Sequence, residues 1–165
     1  MNCWTLAESE SIPLWKIYAS FNAGIVIQST VDKFAKAVRF PEAYPAHTTG
    51  RVEYYDGLPP RVFDYNISVE FSWKKKFVIN LQKRSCFDFE KEWRAIVVGN
   101  GHDKGRGVQV PVVLGDLIEA VVVSPAASAS FFASVVALVQ RFGLNVTARQ
   151  SEFARSRPRQ TRPVS

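Results

Sequence analysis

The sequence predicts an α+β fold, a mixed and mainly antiparallel sheet with packed helices. Two kinds of segment carry that expectation. Residues 24–30 (GIVIQST), 87–98 (FDFEKEWRAIVV) and 120–123 (AVVV) hold apolar, β-branched runs of strand length. Phe131, Val135, Leu138 and Phe142 instead recur at i, i+4, i+7 and i+11, the spacing of one helix face.

From the N-terminus, residues 2–6 read as a short strand and 9–19 as a helix with Pro13 in its first turn, where a missing amide is harmless. The strand over 24–30 passes into a helix over 31–38 whose apolar face holds Phe34, Ala35 and Val38. Residues 40–49, with Pro41 and Pro45, are a loop, and 51–56 a strand that stops at Gly57-Leu58-Pro59-Pro60. A helix is expected over 62–77 and extended chain over 77–84. After the strand at 87–98, a glycine-rich loop returns through a second strand at 108–113. A helical turn at 114–119 leads to the buried strand 120–123. Ser124 then caps the long helix with Pro125 at its first position, and Gly143 ends it. A last strand runs over 144–148, so residues 1–151 are expected to form a single domain and 152–165 a disordered basic tail.

With 165 residues, 47% of them hydrophobic and 22% charged, the chain can bury a sizeable core. Its net charge of +6 is concentrated at the end: Arg155, Arg157, Arg159 and Arg162 stand in a stretch without acid, and the rest of the chain is nearly balanced. A tail so poor in apolar residues cannot offset its ordering entropy. It offers nucleic acid a weak phosphate contact through counterion release. Lys74, Lys75 and Lys76 form a second basic run, read as a solvated helix face or a loop.

Cys3 and Cys86 are far apart and lack CxxC spacing, and His47 and His102 stand alone, so neither a zinc site nor a disulfide framework is expected. A reducing, cytoplasmic compartment follows, with both thiols acting as small core hydrophobes. Residues 120–140 are 21 positions without a charge, but the Ser-Pro break and the many Ala and Ser residues argue against a membrane span. The glycine-rich loop near residue 100 opens onto a strand rather than a helix N-terminus, which argues against a phosphate cradle.

The segment with most chemical content is Glu90-Lys91-Glu92-Trp93-Arg94. Two carboxylates two residues apart on a strand share a face and repel, so one pKa rises unless cations or a substrate share that face. Such a pair suits general acid/base work, and Arg94 continues the row and can pair with Glu92. The plainer alternative is an exposed acidic face with Trp93 in the core. Ser29 and Thr30 offer either a substrate-facing hydroxyl pair or a helix cap, and Trp4, Trp15 and Tyr18 either a pocket lining or core.

Residues 2–4 (NCW), 10–11 (ES), 14–18 (LWKIY), 24–30 and 89–96 (FEKEWRAI) together resemble, in order, the blocks of the bacterial domain-of-unknown-function family DUF 2971. Residues 108–114, 117–118, 123–125 and 142–144 are similar to its later blocks, so the likeness spans about residues 1–151. It implies a further N-terminal section, with Met1 beginning in mid-domain.

The order of Ser29-Thr30 and Glu90-Lys91-Glu92 is also similar to ADP-ribosyltransferases. That likeness implies NAD as substrate, with Glu92 stabilising an oxocarbenium-like transition state, Glu90 orienting or deprotonating the acceptor, and Ser29 supporting the ribose-binding strand. Thr30 and Arg94 would help hold the ligand. The early Arg or His of that pattern has no counterpart here, and Val31 replaces its second Ser. The sequence thus leaves two expectations: a bacterial intracellular effector or defence protein with a transferase-like site, or a non-catalytic module that binds an anionic partner.

Overall fold

The computed structural model describes residues 1–57, 73–99 and 107–156. In chain order these begin with β1 (Asn2–Thr5), α1 (Ile12–Tyr18), β2 (Ile25–Gln28), α2 (Val31–Ala37), β3 (His47–Arg51), β4 (Glu53–Tyr55) and α3 (Trp73–Asn80). There follow β5 (Gln82–Arg84), a 3₁₀ helix (Ser85–Glu90), β6 (Glu92–Val97), α4 (Leu114–Leu117) and β7 (Ala120–Val123). The last elements are α5 (Ala129–Arg141), β8 (Thr147–Gln150) and a second 3₁₀ helix (Glu152–Ser156). The class is α+β with mostly antiparallel pairing, as the sequence predicts. Two compact units emerge, each made of two stretches of chain: Met1–Glu8 with Phe40–Pro111, and Ser9–Arg39 with Val112–Ser165.

In the first unit β6 is the central strand, antiparallel to β1 on one side and β3 on the other. Because it is covered on both faces, Trp93, Arg94, Ala95 and Ile96 are all buried in succession. β3 occupies residues expected to be loop: prolines mark the loop as far as Pro45, but His47–Arg51 owes its extended form to pairing with β6, which no local pattern encodes. At Val52, whose amide donates to the Glu92 carbonyl, the chain leaves this sheet, and β4 pairs in parallel with β5. The expected strand over 51–56 is therefore two elements.

The expected strand over 87–98 is also shortened, because Ser85–Glu90 winds as a 3₁₀ helix and the ladder starts at Glu92. Phe87 and Phe89 produce a strand-like alternation, yet both remain exposed. α3 continues to Asn80, beyond the predicted end, while the earlier part of that predicted helix lies outside the described residues. The return strand over 108–113 does not form; Val112 makes a single isolated bridge to Val38.

In the second unit β7 is central, antiparallel to β2 and parallel to β8. Burial on both sides explains its unbroken Ala-Val-Val-Val run. Ser11 caps α1 and Thr30 caps α2, each side chain accepting a backbone amide in the first turn. The inner face of α2 is Phe34 and Ala37, followed by Val38, while Ala35 is exposed.

α5 begins four residues later than expected. Ser128 caps it, accepting from the Phe131 amide at 3.2 Å, whereas Ser124 is fully buried and donates to the Phe21 carbonyl. The helix turns Val135 and Val139 inward and leaves Leu138 and Phe142 exposed, so the predicted stripe is rotated. Gly143 ends it with φ of 63°, a conformation glycine adopts without penalty. β8 starts later than residue 144, and Glu152–Ser156 is helical, so the expected tail does not begin at 152. Residues 157–165 lie outside the described part. No helix among the described residues is long and apolar enough to cross a membrane.

Candidate functional site

Glu90 and Glu92 do converge, though through a turn rather than through strand alternation. The 3₁₀ helix ends at Lys91 in the left-handed region, with φ of 45° and its amide donating to the Asp88 carbonyl. On either side of that reversal the two carboxylates reach one cation, Lys83 of β5. Lys83 Nζ bonds the Glu90 carboxylate and lies 2.8 Å from Glu92 Oε1. The other Glu92 oxygen, Oε2, accepts from Arg94 Nε at 2.5 Å and pairs with Arg94 Nη2 at the same distance. Arg94 Nη1 donates onward to the Asn80 carbonyl at 2.5 Å.

The β4–β5 pair delivers two of these groups together. Tyr54 and Lys83 are register partners, and the Tyr54 hydroxyl accepts the Glu92 amide at 2.9 Å while Lys83 takes its carboxylate. The Phe87 ring lies 4.7 Å from Lys83 Nζ, within cation–π range.

Two carboxylates and two cations balance in charge, which makes their removal from water tolerable. Glu90 is only 3% exposed and Arg94 8%, so the expected exposed acidic face is corrected: the cations let it be buried. Burial by itself would lower the Lys83 pKa, but the hydrogen bonds and charges of Glu90 and Glu92 outweigh it and hold it above the ordinary lysine range. Burial pushes the Tyr54 hydroxyl up, and the carboxylate charges add to this, against the bond from the Glu92 amide and the Lys83 charge. The Arg94–Glu92 pair and the buried Trp93 stand as the sequence implies.

Ser29 and Thr30 belong to the second unit, whereas Glu90, Glu92 and Arg94 belong to the first. Ser29 Oγ donates to the Leu117 carbonyl at 2.6 Å, and Thr30 Oγ1 caps α2 by accepting from Lys33 at 3.1 Å. Of the aromatic candidates, Trp15 is core at 3% exposure while Tyr18 is exposed.

Sequence reasoning missed Glu10, the hub of the second unit. Its carboxylate accepts from Trp15 Nε1 at 3.1 Å, Arg149 Nη1 at 2.9 Å, Ser151 Oγ at 2.5 Å and the Glu152 amide at 3.2 Å. Its partners lie mostly at the other end of the chain, so no local signal marks it. Lys83 was missed too, although the need for a cation beside paired carboxylates points to some lysine or arginine.

Cys3 and Cys86 are free and exposed rather than core hydrophobes, because β1 and the 3₁₀ helix turn those positions outward. His47 stacks on Phe40 with centroids 4.2 Å apart, and His102 lies outside the described residues. Among the described residues no three His, Cys, Asp or Glu side chains gather as metal ligands. No protein-family model, curated protein or solved structure matches the chain.

Proposed function

We propose that this chain is a non-catalytic interaction module for a polyanionic partner, with the Glu90-Lys83-Glu92-Arg94 network as its internal frame. The observation that carries the reading is that the groups a transferase would use are bonded within the fold. Glu92 holds Lys83 with one oxygen and Arg94 with the other, Ser29 braces the Leu117 carbonyl, and Thr30 caps a helix. A carboxylate held between two cations is already neutralised and stabilises a developing positive charge poorly. Lys74, Lys75, Lys76 and Arg84, by contrast, stand in a stretch, residues 73–84, that contains no acid, and residues 153–165 contain four arginines and no acid. Basic stretches of this kind bind phosphates by counterion release.

The test is fluorescence anisotropy with a labelled DNA oligonucleotide over a salt series. Binding should weaken steeply with salt, fall when residues 155–165 are deleted or Lys74, Lys75 and Lys76 are changed to Gln, and survive Glu92→Gln. Absence of binding at low salt would refute the reading.

A second reading is NAD-dependent ADP-ribosyl transfer in a bacterial effector or defence protein, with Glu92, Glu90 and Ser29 in the roles given above and Thr30 and Arg94 holding the ligand. The observation that favours it is the convergence of two carboxylates on one lysine whose side chain is 21% exposed, a cation that a positively charged nicotinamide riboside group could displace. A thermal-shift titration with NAD on the chain and on Glu92→Gln separates the readings. A saturable rise lost in the variant would favour transfer; equal, flat curves would favour the module.

A further inference from the structure

We propose that the 3₁₀ helix Ser85–Glu90 and the cations at its two ends form a platform on which the bases of a single-stranded nucleic acid stack. The inference rests on the interaction-module reading above and names its polyanion. Phe87 and Phe89 are 41% and 42% exposed, two phenyl groups within a run of four exposed residues, 86–89. Phe87 is also held in place. Lys83 Nζ lies over its ring, 4.7 Å from the centroid, and Glu90 and Glu92 fix that ammonium in turn. A ring already oriented loses little freedom when a base stacks on it, and every base has a π face to offer.

Charge favours the same partner. In sequence, residues 84–91 balance, apart from one term: Arg84 and Lys91 offset Asp88 and Glu90. Folding removes Glu90 from the surface by burying it against Lys83, which leaves Arg84 and Lys91 exposed against Asp88 alone. Among the described residues no hydrogen bond or ion pair engages the side chain of either cation. Lys74, Lys75 and Lys76 of α3 belong to the same unit and to the acid-free stretch that ends at Arg84.

Lys91 carries a second indication. It holds φ of 45°, a conformation that glycine adopts without penalty and that strains a residue with a side chain. The strain is retained although the ammonium makes no bond within the described residues, and strain of this kind marks contact with a ligand. Arg84 precedes the phenyl groups and Lys91 follows them, as phosphates flank bases along a strand. At about 2 Å per residue the run spans roughly 14 Å, room for two bases on two rings. A duplex keeps its bases stacked inside and offers the rings nothing, and an ordinary peptide has no repeating anion for the cations.

Fluorescence anisotropy on the intact chain, with a labelled single-stranded DNA oligonucleotide and with the same sequence as a duplex at matched salt, tests the proposal. The single strand should bind at least about fivefold more tightly. Phe87→Leu combined with Phe89→Leu keeps the apolar bulk and should cancel that preference without changing duplex affinity. Lys91→Gly should weaken single-strand binding and flatten its salt dependence, while thermal unfolding shows a fold no less stable. Asp88→Asn should strengthen binding of both forms. Equal affinity for the two forms overturns the proposal and leaves the module reading standing, as does a preference that the paired Phe variant retains. A Lys91→Gly chain that binds as the parent does also overturns it, and this variant decides the matter if the paired one does not fold. Failure of both forms to bind at low salt overturns the module reading and this inference with it.

Discussion

Glu10 Oε1 and Arg149 Nη1 lie 2.9 Å apart although 139 residues separate them in the chain. The same carboxylate holds Trp15, Ser151 and the Glu152 amide, so one acid joins the start of α1 to β8 and the second 3₁₀ helix. Burial alone would raise its pKa, but the bonds from Ser151, Arg149, Glu152 and Trp15 bring it below the usual 4.5. A pKa lowered by folding adds stability above the unfolded value, and that stability is lost as pH falls through the folded one. Stability measured by urea unfolding should therefore drop in acid below pH 4.5. Glu10→Gln should flatten that limb and cost about 1–3 kcal/mol at neutral pH.

Lys83 carries the corresponding relation in base. Its folded pKa lies above 10.5, so its contribution is complete below that value and disappears as pH rises through the folded pKa. Lys83→Met leaves the buried Glu90 without this cation and should cost on the order of 3–5 kcal/mol. Adding Glu90→Gln to that variant should recover part of the loss, a coupling that a double-mutant cycle by chemical denaturation reads directly.

Lys91 sits at φ of 45° in the turn that sets Glu90 against Glu92. Left-handed backbone costs a side-chain-bearing residue about 1–2 kcal/mol. Lys91→Gly should be neutral or stabilising by up to about 1 kcal/mol, and Lys91→Val should destabilise, as followed by thermal unfolding.

Ser128→Ala should cost about 1 kcal/mol through loss of the α5 cap. Ser124→Ala should cost about 1–3 kcal/mol for a different reason, since it strips the buried partner from the Phe21 carbonyl. If Ser124 capped the helix instead, Ser128→Ala would be silent in the same unfolding assay.

Both thiols should react with a colorimetric thiol reagent in the native chain, without denaturant, because Cys3 and Cys86 are exposed. Reaction only after unfolding would place them in the interior.

What the sequence makes legible here is what a few adjacent residues decide. The strand within GIVIQST, the buried Ala-Val-Val-Val run, the Thr30 cap and the Gly143 stop follow from local propensity and caps, and each is present. The Glu90–Glu92 convergence was readable because like charges close in sequence need a cation wherever they meet. The identity of that cation, Lys83, depends on β4 pairing with β5, and the Glu10 hub depends on residues at the far end of the chain. Such partners leave no trace in a local window. The Ser-Pro pair at 124–125 misled for a related reason: it has the chemistry of a helix start, but burial against Phe21 claims the hydroxyl.

Because each compact unit is assembled from two separated stretches, the ribosome cannot finish either in one pass. β1 waits in the nascent chain for β6, and β2 waits longer for β7. The first unit acquires its central strand while residues 9–39 are still without the later half of theirs, tethered at both ends as an open span. Long spans close at little extra entropic cost, yet pairings between distant strands are slow. During that interval the uncharged strand near residue 26 lacks β7 as well as an outer neighbour, which makes the time between synthesis of β2 and of β7 the period in which this chain is most prone to stick to another.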